Sequence, residues 1–260
     1  MRIQSVSFGL LLGALAAAIV ACDDPPKGGA APAPSAAPLA TTAPSIAPAP
    51  ATTASAPPVV CEPGPNVTFR QPGLEAEVRK KLGKADGPLT AADLAKVKSV
   101  NLVGVPTDAL DPCAYKYFTG LHDLFLGPGE LQDLTPLAVL PQLLSLRVAI
   151  SKVKDLSPLV RMVHLDRLDL GRTSVTDLSV VGGLGDLTEL EIDEDMVTDL
   201  TPLAKCSKLE KLSMKGTAVK DLRPLLGLKK LRKLWIVGSP ITDTHVLDPL
   251  VANGLKILTQ

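Results

Sequence analysis

The sequence predicts an α/β repeat solenoid: a parallel sheet with one short strand per unit, short helical or 3₁₀ segments on the opposite side, and a small helical cap before the first unit. Three observations carry that prediction. Aspartates fall at Asp111, Asp133, Asp155, Asp177, Asp199, Asp221 and Asp243, and every interval is 22 residues. The same phrase opens the units that follow, as in "DLTPLAVL", "DLSPLVRM" and "DLRPLLGL". Within a unit the apolar residues keep fixed columns. Leu156, Leu159, Met162, Leu165, Leu168, Leu170 and Val175 in one unit become Leu178, Val181, Leu184, Leu187, Leu190, Ile192 and Val197 in the next.

Each element follows from that spacing. Apolar steps of three suit a 3₁₀ or short helical stretch, and the step of two at Leu168/Leu170 suits a strand with one buried face. One short strand and one short helical turn cannot bury their apolar edge alone. Stacked copies join those edges into a continuous core. The units at Asp111 and Asp243 are degenerate, as terminal units are. Thr135, Ser157, Ser179 and Thr201 recur two residues after the aspartate, mostly followed by Pro136, Pro158 and Pro202. This reads as an N-cap with Pro at the first helical position. Ser151, Thr173, Thr217 and Ser239 fall in the turn after each strand, where hydroxyls bond turn backbone groups. Ahead of the repeats, Leu74, Val78 and Leu82 share one helix face closed by Gly83. Thr90-x-x-Asp93 reads as a capping box for a second helix. Leu94, Val97, Val100 and Leu102 then enter the repeat columns.

The run "LTELEIDEDMVTDLTPLAKCSKLEKLSMKGTAVKDLRPL" resembles leucine-rich repeats, specifically the 22-residue bacterial type of internalin-like proteins. The stretch "FRQPGLEAEVRKKLGKADGPLTAADLAKVKSVNLVG" resembles the N-terminal cap of the same proteins. One departure is Ser/Thr where many such repeats carry Asn. The resemblance implies a curved parallel sheet lining a concave face, helical segments on the convex side, and a role in binding.

The N-terminal segment "MRIQSVSFGLLLGALAAAIVAC" has Arg2 before an apolar run from Phe8 to Ala21 of 14 residues. That is short of the roughly 18 residues of a spanning helix, so the segment reads as a signal peptide. Ile19-Val20-Ala21-Cys22 resembles the lipobox of bacterial lipoproteins, which implies cleavage before Cys22 and acylation of it. The alternative is an ordinary signal peptide with a chance cysteine. "APAPSAAPLATTAPSIAPAPATTASAPP" has no charge and no apolar periodicity, so it reads as an extended tether. The domains are then 1–21, signal peptide; 22–60, lipidated N-terminus and tether; 61–110, cap; and 111–260, leucine-rich-repeat solenoid with a degenerate C-terminal cap.

Cys206 stands in a column otherwise held by Leu140, Met162, Leu184 and Leu228, so it reads as a buried free thiol. An oxidising compartment permits a Cys61–Cys113 bridge between cap and solenoid. Whether the geometry is met stays open. His122, His164 and His245 occur singly, as surface or loop residues, and no Cys/His spacing suggests zinc. "DEDM" at 193–196 lacks the glycine and distal glutamate of a calcium loop, and a turn of solvated acids is simpler.

Lys and Arg number 27, as do Asp and Glu, which argues against a nucleic-acid partner. Candidate binding residues are the outward strand positions. The column between the buried pair reads Phe125, Arg147, Asp169, Glu191, Ser213, Trp235; the column before it, Asp123, Ser145, Arg167, Glu189, Lys211, Lys233; the column after it, Gly127, Ala149, Gly171, Asp193, Lys215, Val237. From these we expect partner binding by Phe125, Arg147, Arg167, Asp169, Glu189, Glu191, Asp193, Lys211, Lys215, Lys233 and Trp235. Trp235 is either an exposed hot spot or packs over its neighbours. The acidic and basic runs either steer a charged partner or pair across strands. No nucleophile elbow, zincin motif or phosphate loop is present, so no enzymatic activity and no cofactor or metal is expected. The expectation is a monomeric, lipid-anchored protein–protein interaction module of a bacterial cell envelope, on the inner or outer membrane, periplasmic or surface-exposed. The alternative is a structural envelope lipoprotein that binds peptidoglycan or glycan.

Overall fold

A computed structural model describes Cys61 and residues 64–260. The signal-peptide, Cys22 and tether expectations lie outside the described residues. The chain enters through helix α1 (Pro72–Leu82), which buries Leu74 and Val78 and ends on Gly83 at φ 62°. A second, four-residue helix α2 (Ala91–Leu94) starts at a capping box, Thr90 and Asp93 each bonding the other's backbone N–H. Eight three-residue strands follow: β1 (Ser99–Asn101), β2 (Asp123–Phe125), β3 (Ser145–Arg147), β4 (Arg167–Asp169), β5 (Glu189–Glu191), β6 (Lys211–Ser213), β7 (Lys233–Trp235) and β8 (Lys256–Leu258). They form one parallel sheet in chain order, so each coil pairs only with its two neighbours.

Register repeats the sequence period. Leu124, Leu146, Leu168, Leu190, Leu212 and Leu234 stand side by side, each 22 residues from the last. The two end steps differ: Val100 faces Leu124, two residues later than the period, and Leu234 faces Ile257, one residue later, where helix α3 (Asp248–Ala252) replaces the shorter turn. Between strands run 3₁₀ segments such as Thr135–Val139, Ser157–Leu159 and Thr201–Lys205. The core lies between these and the sheet. The apolar columns aligned from Leu156 to Val175 and from Leu178 to Val197 are buried, and Cys206 takes its place among Leu140, Met162, Leu184 and Leu228. Its thiol is pushed up to about 11 by burial, which suits a packing residue and not a nucleophile.

The capping group differs from the expectation. None of the Ser/Thr side chains caps its 3₁₀ segment. The repeating aspartate does so instead. Oδ1 of Asp133, Asp155, Asp177, Asp199, Asp221 and Asp243 accepts the backbone N–H two residues on, at 2.7–2.9 Å. A carboxylate accepts such a bond more strongly than a hydroxyl. The leucine between them turns inward, leaving the aspartate aimed at the exposed amides. Ser157 and Ser179 hydroxyls donate back to the same carboxylates. These bonds hold Asp155, Asp177 and Asp199 below the usual carboxylate range. Thr217 and Ser239 hydroxyls do bond turn backbone, both donating to the Met214 carbonyl.

The entry to the solenoid is fastened twice. Cys61 and Cys113 form a disulfide with a Cα–Cα distance of 5.4 Å. Beside it Asp111, the first repeat aspartate, is buried and accepts the Arg70, Cys113 and Ala114 amides. The sequence marks Asp111 as a repeat aspartate but gives no sign that it ties the cap down.

A left-handed residue recurs just after each of β3 to β7: Ile150 at φ 59°, Arg172 at 60°, Glu194 at 58°, Gly216 at 66° and Gly238 at 73°. The turn requires this conformation, and glycine supplies it in only two coils. A side chain there costs about 1–2 kcal/mol, more for a β-branched one. Ile150 is 43% exposed, so little packing is lost with it. Ile150→Gly is therefore expected to stabilise the domain by about 1 kcal/mol. Gly216→Ala is expected to destabilise it, its added Cβ meeting Glu194 at 3.2 Å. Thermal unfolding of the two variants checks both signs.

Candidate functional site

Because strand side chains alternate, the middle residue of each of β1 to β7 is buried and its two flanking residues face outward. The outward face forms a groove of about 490 Å³. It brings together Phe125, Arg147, Arg167, Asp169, Glu189, Glu191, Lys211, Lys215 and Trp235, nine of the residues expected to bind. Ser145, buried, and Ser213 add polar lining. Phe125 on β2 and Trp235 on β7 stand at its two ends, both half-buried. Lys233 sits on the rim, its Nζ 6.0 Å from the Trp235 ring centroid. Trp235 thus carries a neighbouring cation and keeps part of its ring open to the groove.

One expected position differs. Asp193 is only 8% exposed and is not an outward binding residue. Its Oδ1 accepts the Ser213 hydroxyl at 2.6 Å and the Lys215 amide at 2.8 Å, and Oδ2 meets Lys215 Nζ at 2.7 Å. The column after the second buried position is buried from Gly127 to Asp193, Ala149 included, and only Lys215 and Val237 are partly open. The reason is backbone proximity: a Cβ on Gly127 would lie 2.0 Å from the Val105 carbonyl oxygen. This column holds small residues in its first three coils, where the strand bends into its turn, and glycine at 127 and 171 was the available signal.

Charges on the face pair along the sheet. Arg147 Nε lies 3.2 Å from Asp169 Oδ2, Lys211 pairs with Glu189, and Arg167 Nε is 3.8 Å from Asp166. Glu191 differs. Among the described residues no cation lies within ion-pair distance of it. Partial burial and the nearby Asp169 and Asp193 raise its pKa. Asp169 is raised mainly by burial, against its bonds to Gly171 and Arg147. Asp169 and Glu191 are register partners, so two adjacent carboxylates are present. Asp169, however, accepts the Gly171 amide at 3.0 Å and is held by Arg147, so it is not a free acid or base.

Beneath this face lies Asp195, a residue the sequence assigned to a solvated acidic turn. It is 3% exposed. Its Oδ1 accepts the Thr173 amide at 2.7 Å and hydroxyl at 2.9 Å, and its buried Oδ2 has no partner. Burial pushes its pKa up to about 6, with Asp169 and Asp193 adding to the shift against the Thr173 bonds. Among the described residues no set of three metal-ligating side chains surrounds it. Of the histidines, His164 and His245 are exposed and His122 is half-buried. His164 Nδ1 lies 2.9 Å from Asp186.

No protein-family model matches the chain, and no curated protein matches it either. Solved structures do. The fold defines a leucine-rich-repeat solenoid with an open parallel sheet. It is similar to an internalin, InlF, of Listeria monocytogenes, at 25% identity and a TM-score of 0.67 over 73% of this chain; the chain spans 56% of that one. It is also similar to internalin C2 of the same organism, at 25% identity and a TM-score of 0.61, covering 74% of this chain and 94% of that one. A leucine-rich-repeat protein of Leptospira interrogans shares the fold at 19% identity and a TM-score of 0.53, over 65% of this chain and 51% of that one. The described part of the chain is thus an internalin-like leucine-rich-repeat domain.

The Asp195 site predicts a pH dependence. A carboxyl raised in the folded state makes that state hold the extra proton between the ordinary value of 3.8 and about 6. Its contribution is complete below the unfolded value and is lost as pH rises through the folded one. Asp195→Asn removes the buried charge and keeps an oxygen for the Thr173 bonds. At pH 7 the variant is expected to be more stable by on the order of 1–2 kcal/mol. The difference should vanish by pH 4. Denaturant unfolding of both proteins at the two pH values checks this.

Proposed function

We propose that the protein is a lipid-anchored, non-enzymatic interaction module of a bacterial cell envelope, which holds a protein partner in the groove on its sheet. One observation carries the reading: the groove combines two partly open aromatics at its ends with Glu191, a raised carboxylate with no ion-pair partner among the described residues. A partner that brings a cation to Glu191 and apolar groups to Phe125 and Trp235 relieves both. Such anchors are the usual energetic centre of a protein interface. The core columns are committed to stacking, so recognition falls to the outward residues. Glycan binding is less well supported. It calls for adjacent stacking surfaces, and Phe125 and Trp235 are five strands apart. The anchor rests on the lipobox-like Ile19-Val20-Ala21-Cys22, and the Pro/Ala-rich residues before Val60 would space the domain from the membrane.

A photo-crosslinking residue placed at Ser213, on the outward face, is expected to give a protein adduct in cells. A probe at Arg161, on the opposite side, should not, and Trp235→Ala should reduce the Ser213 adduct by tenfold or more. Equal adducts from both sides would refute the groove as the binding surface. Radiolabelled palmitate is expected to enter the wild-type chain and to be absent from Cys22→Ala; incorporation that survives the substitution would refute the anchor.

A further inference from the structure

The neutral total hides a strong segregation of charge. Residues 61–200 carry 14 lysines and arginines against 21 aspartates and glutamates, a formal net of −7. Residues 201–260 carry 11 against 4, a net of +7. The fold concentrates part of that excess on the outward face. In the first strand position, register places Arg167 against Glu189 and Glu189 against Lys211, so the signs alternate across β4, β5 and β6. The alternation then stops. Lys211 faces Lys233, and Lys233 faces Lys256. Adjacent strands lie about 4.8 Å apart, and like charges directly opposite destabilise a sheet. Lys211 is answered by Glu189. Among the described residues, no carboxylate lies within ion-pair distance of Lys233 or Lys256. The same column therefore neutralises itself on one half and leaves itself charged on the other. Trp235, in the groove wall, lies next to this ladder.

We propose that the lysine ladder Lys211–Lys233–Lys256, with Trp235 beside it, is the docking surface for an acidic segment of a partner protein, laid across β6, β7 and β8. This rests on the reading of the outward face as a partner-binding surface and supplies the chemistry of what binds. Charge complementarity chooses a polypeptide. A nucleic-acid strand is charged along its whole length and would meet Glu189, Glu191 and Asp169 immediately beside the ladder. A flat anionic bilayer, wider than the ladder, would meet the same carboxylates. A polypeptide can confine its carboxylates to one short run and present a cation or apolar group to the acidic coils next to it.

The test uses the full chain and fluorescein-labelled hexaglutamate, followed by fluorescence polarisation at about 50 mM salt, where surface charge is little screened. The wild-type chain is expected to bind hexaglutamate and not hexalysine. Lys233→Glu should weaken binding at least tenfold. It also restores alternating signs, so its melting temperature should stay level or rise. Lys220→Glu makes the same change in charge off the sheet face and should leave binding within threefold. The proposal is overturned if the wild-type chain does not bind hexaglutamate, if Lys233→Glu binds within threefold of wild type, or if Lys220→Glu weakens binding as much. It is equally overturned if phosphatidylglycerol vesicles bind with the Lys233 dependence and hexaglutamate does not. If hexaglutamate fails while the Ser213 crosslink still depends on Trp235, the ladder falls and the groove stands. The reverse result leaves the ladder and removes the groove.

Discussion

The whole structure depends on the hydrogen-bonded register between coils that are too small to fold alone. A three-residue strand and one 3₁₀ turn present an apolar edge with nothing in their own unit to cover it. The ladder of backbone bonds fixes each leucine against its equivalent 22 residues on, as Leu146 against Leu168 and Leu168 against Leu190. Burying one such side chain contributes roughly 1.5–3 kcal/mol, and the period repeats the gain in every coil. The length between coils changes only at the two ends of the sheet, by two residues between β1 and β2 and by one before β8, where α3 intervenes.

That constraint accounts for the devices at the turns and at the entry. Each coil must leave its strand sharply, hence the recurring left-handed residue, and must re-enter a helical turn, hence the aspartate that accepts the amide two residues on. The first coil has no predecessor. Helices α1 and α2 cover it, and the Cys61–Cys113 bridge and the buried Asp111 carboxylate bind the incoming chain to it. The repeat aspartate serves two ends: exposed, it caps a turn; buried at 111, it ties down the cap.

With the core assigned to stacking, the outward strand positions are free to vary in charge, and they vary in a polarised way. Burial, with neighbouring carboxylates of the acidic coils adding to it, raises the pKa of Asp169 and Glu191 in the groove and of Asp195 in the turn. The coils that follow reverse the sign. Perturbed carboxylates and an unneutralised lysine row are both states the fold alone would not favour, and such sites tend to be functional. Their position on one face, between two aromatic ends, ties them to one surface.

The sequence by itself determined the period, the strand positions, the buried columns and the cap helices. Those follow from which residues are apolar and at what spacing, and a spacing that restarts every 22 residues admits few folds. It also identified most of the groove, because alternation along a strand separates inward from outward residues. It misjudged what depends on distances between coils. Asp193 sits in an outward column on paper yet is buried, since the chain bends there and the Ser213 hydroxyl and the Lys215 amide and ammonium converge on it. Asp195 read as a solvated turn acid and is enclosed, because Thr173 of the preceding coil covers it. Whether Cys61 reaches Cys113, which oxygen caps each turn, and which lysines stand opposite one another were decided only by the tertiary structure. Each is a contact across coils or across a turn, and its energy depends on ångströms that residue types and intervals do not encode.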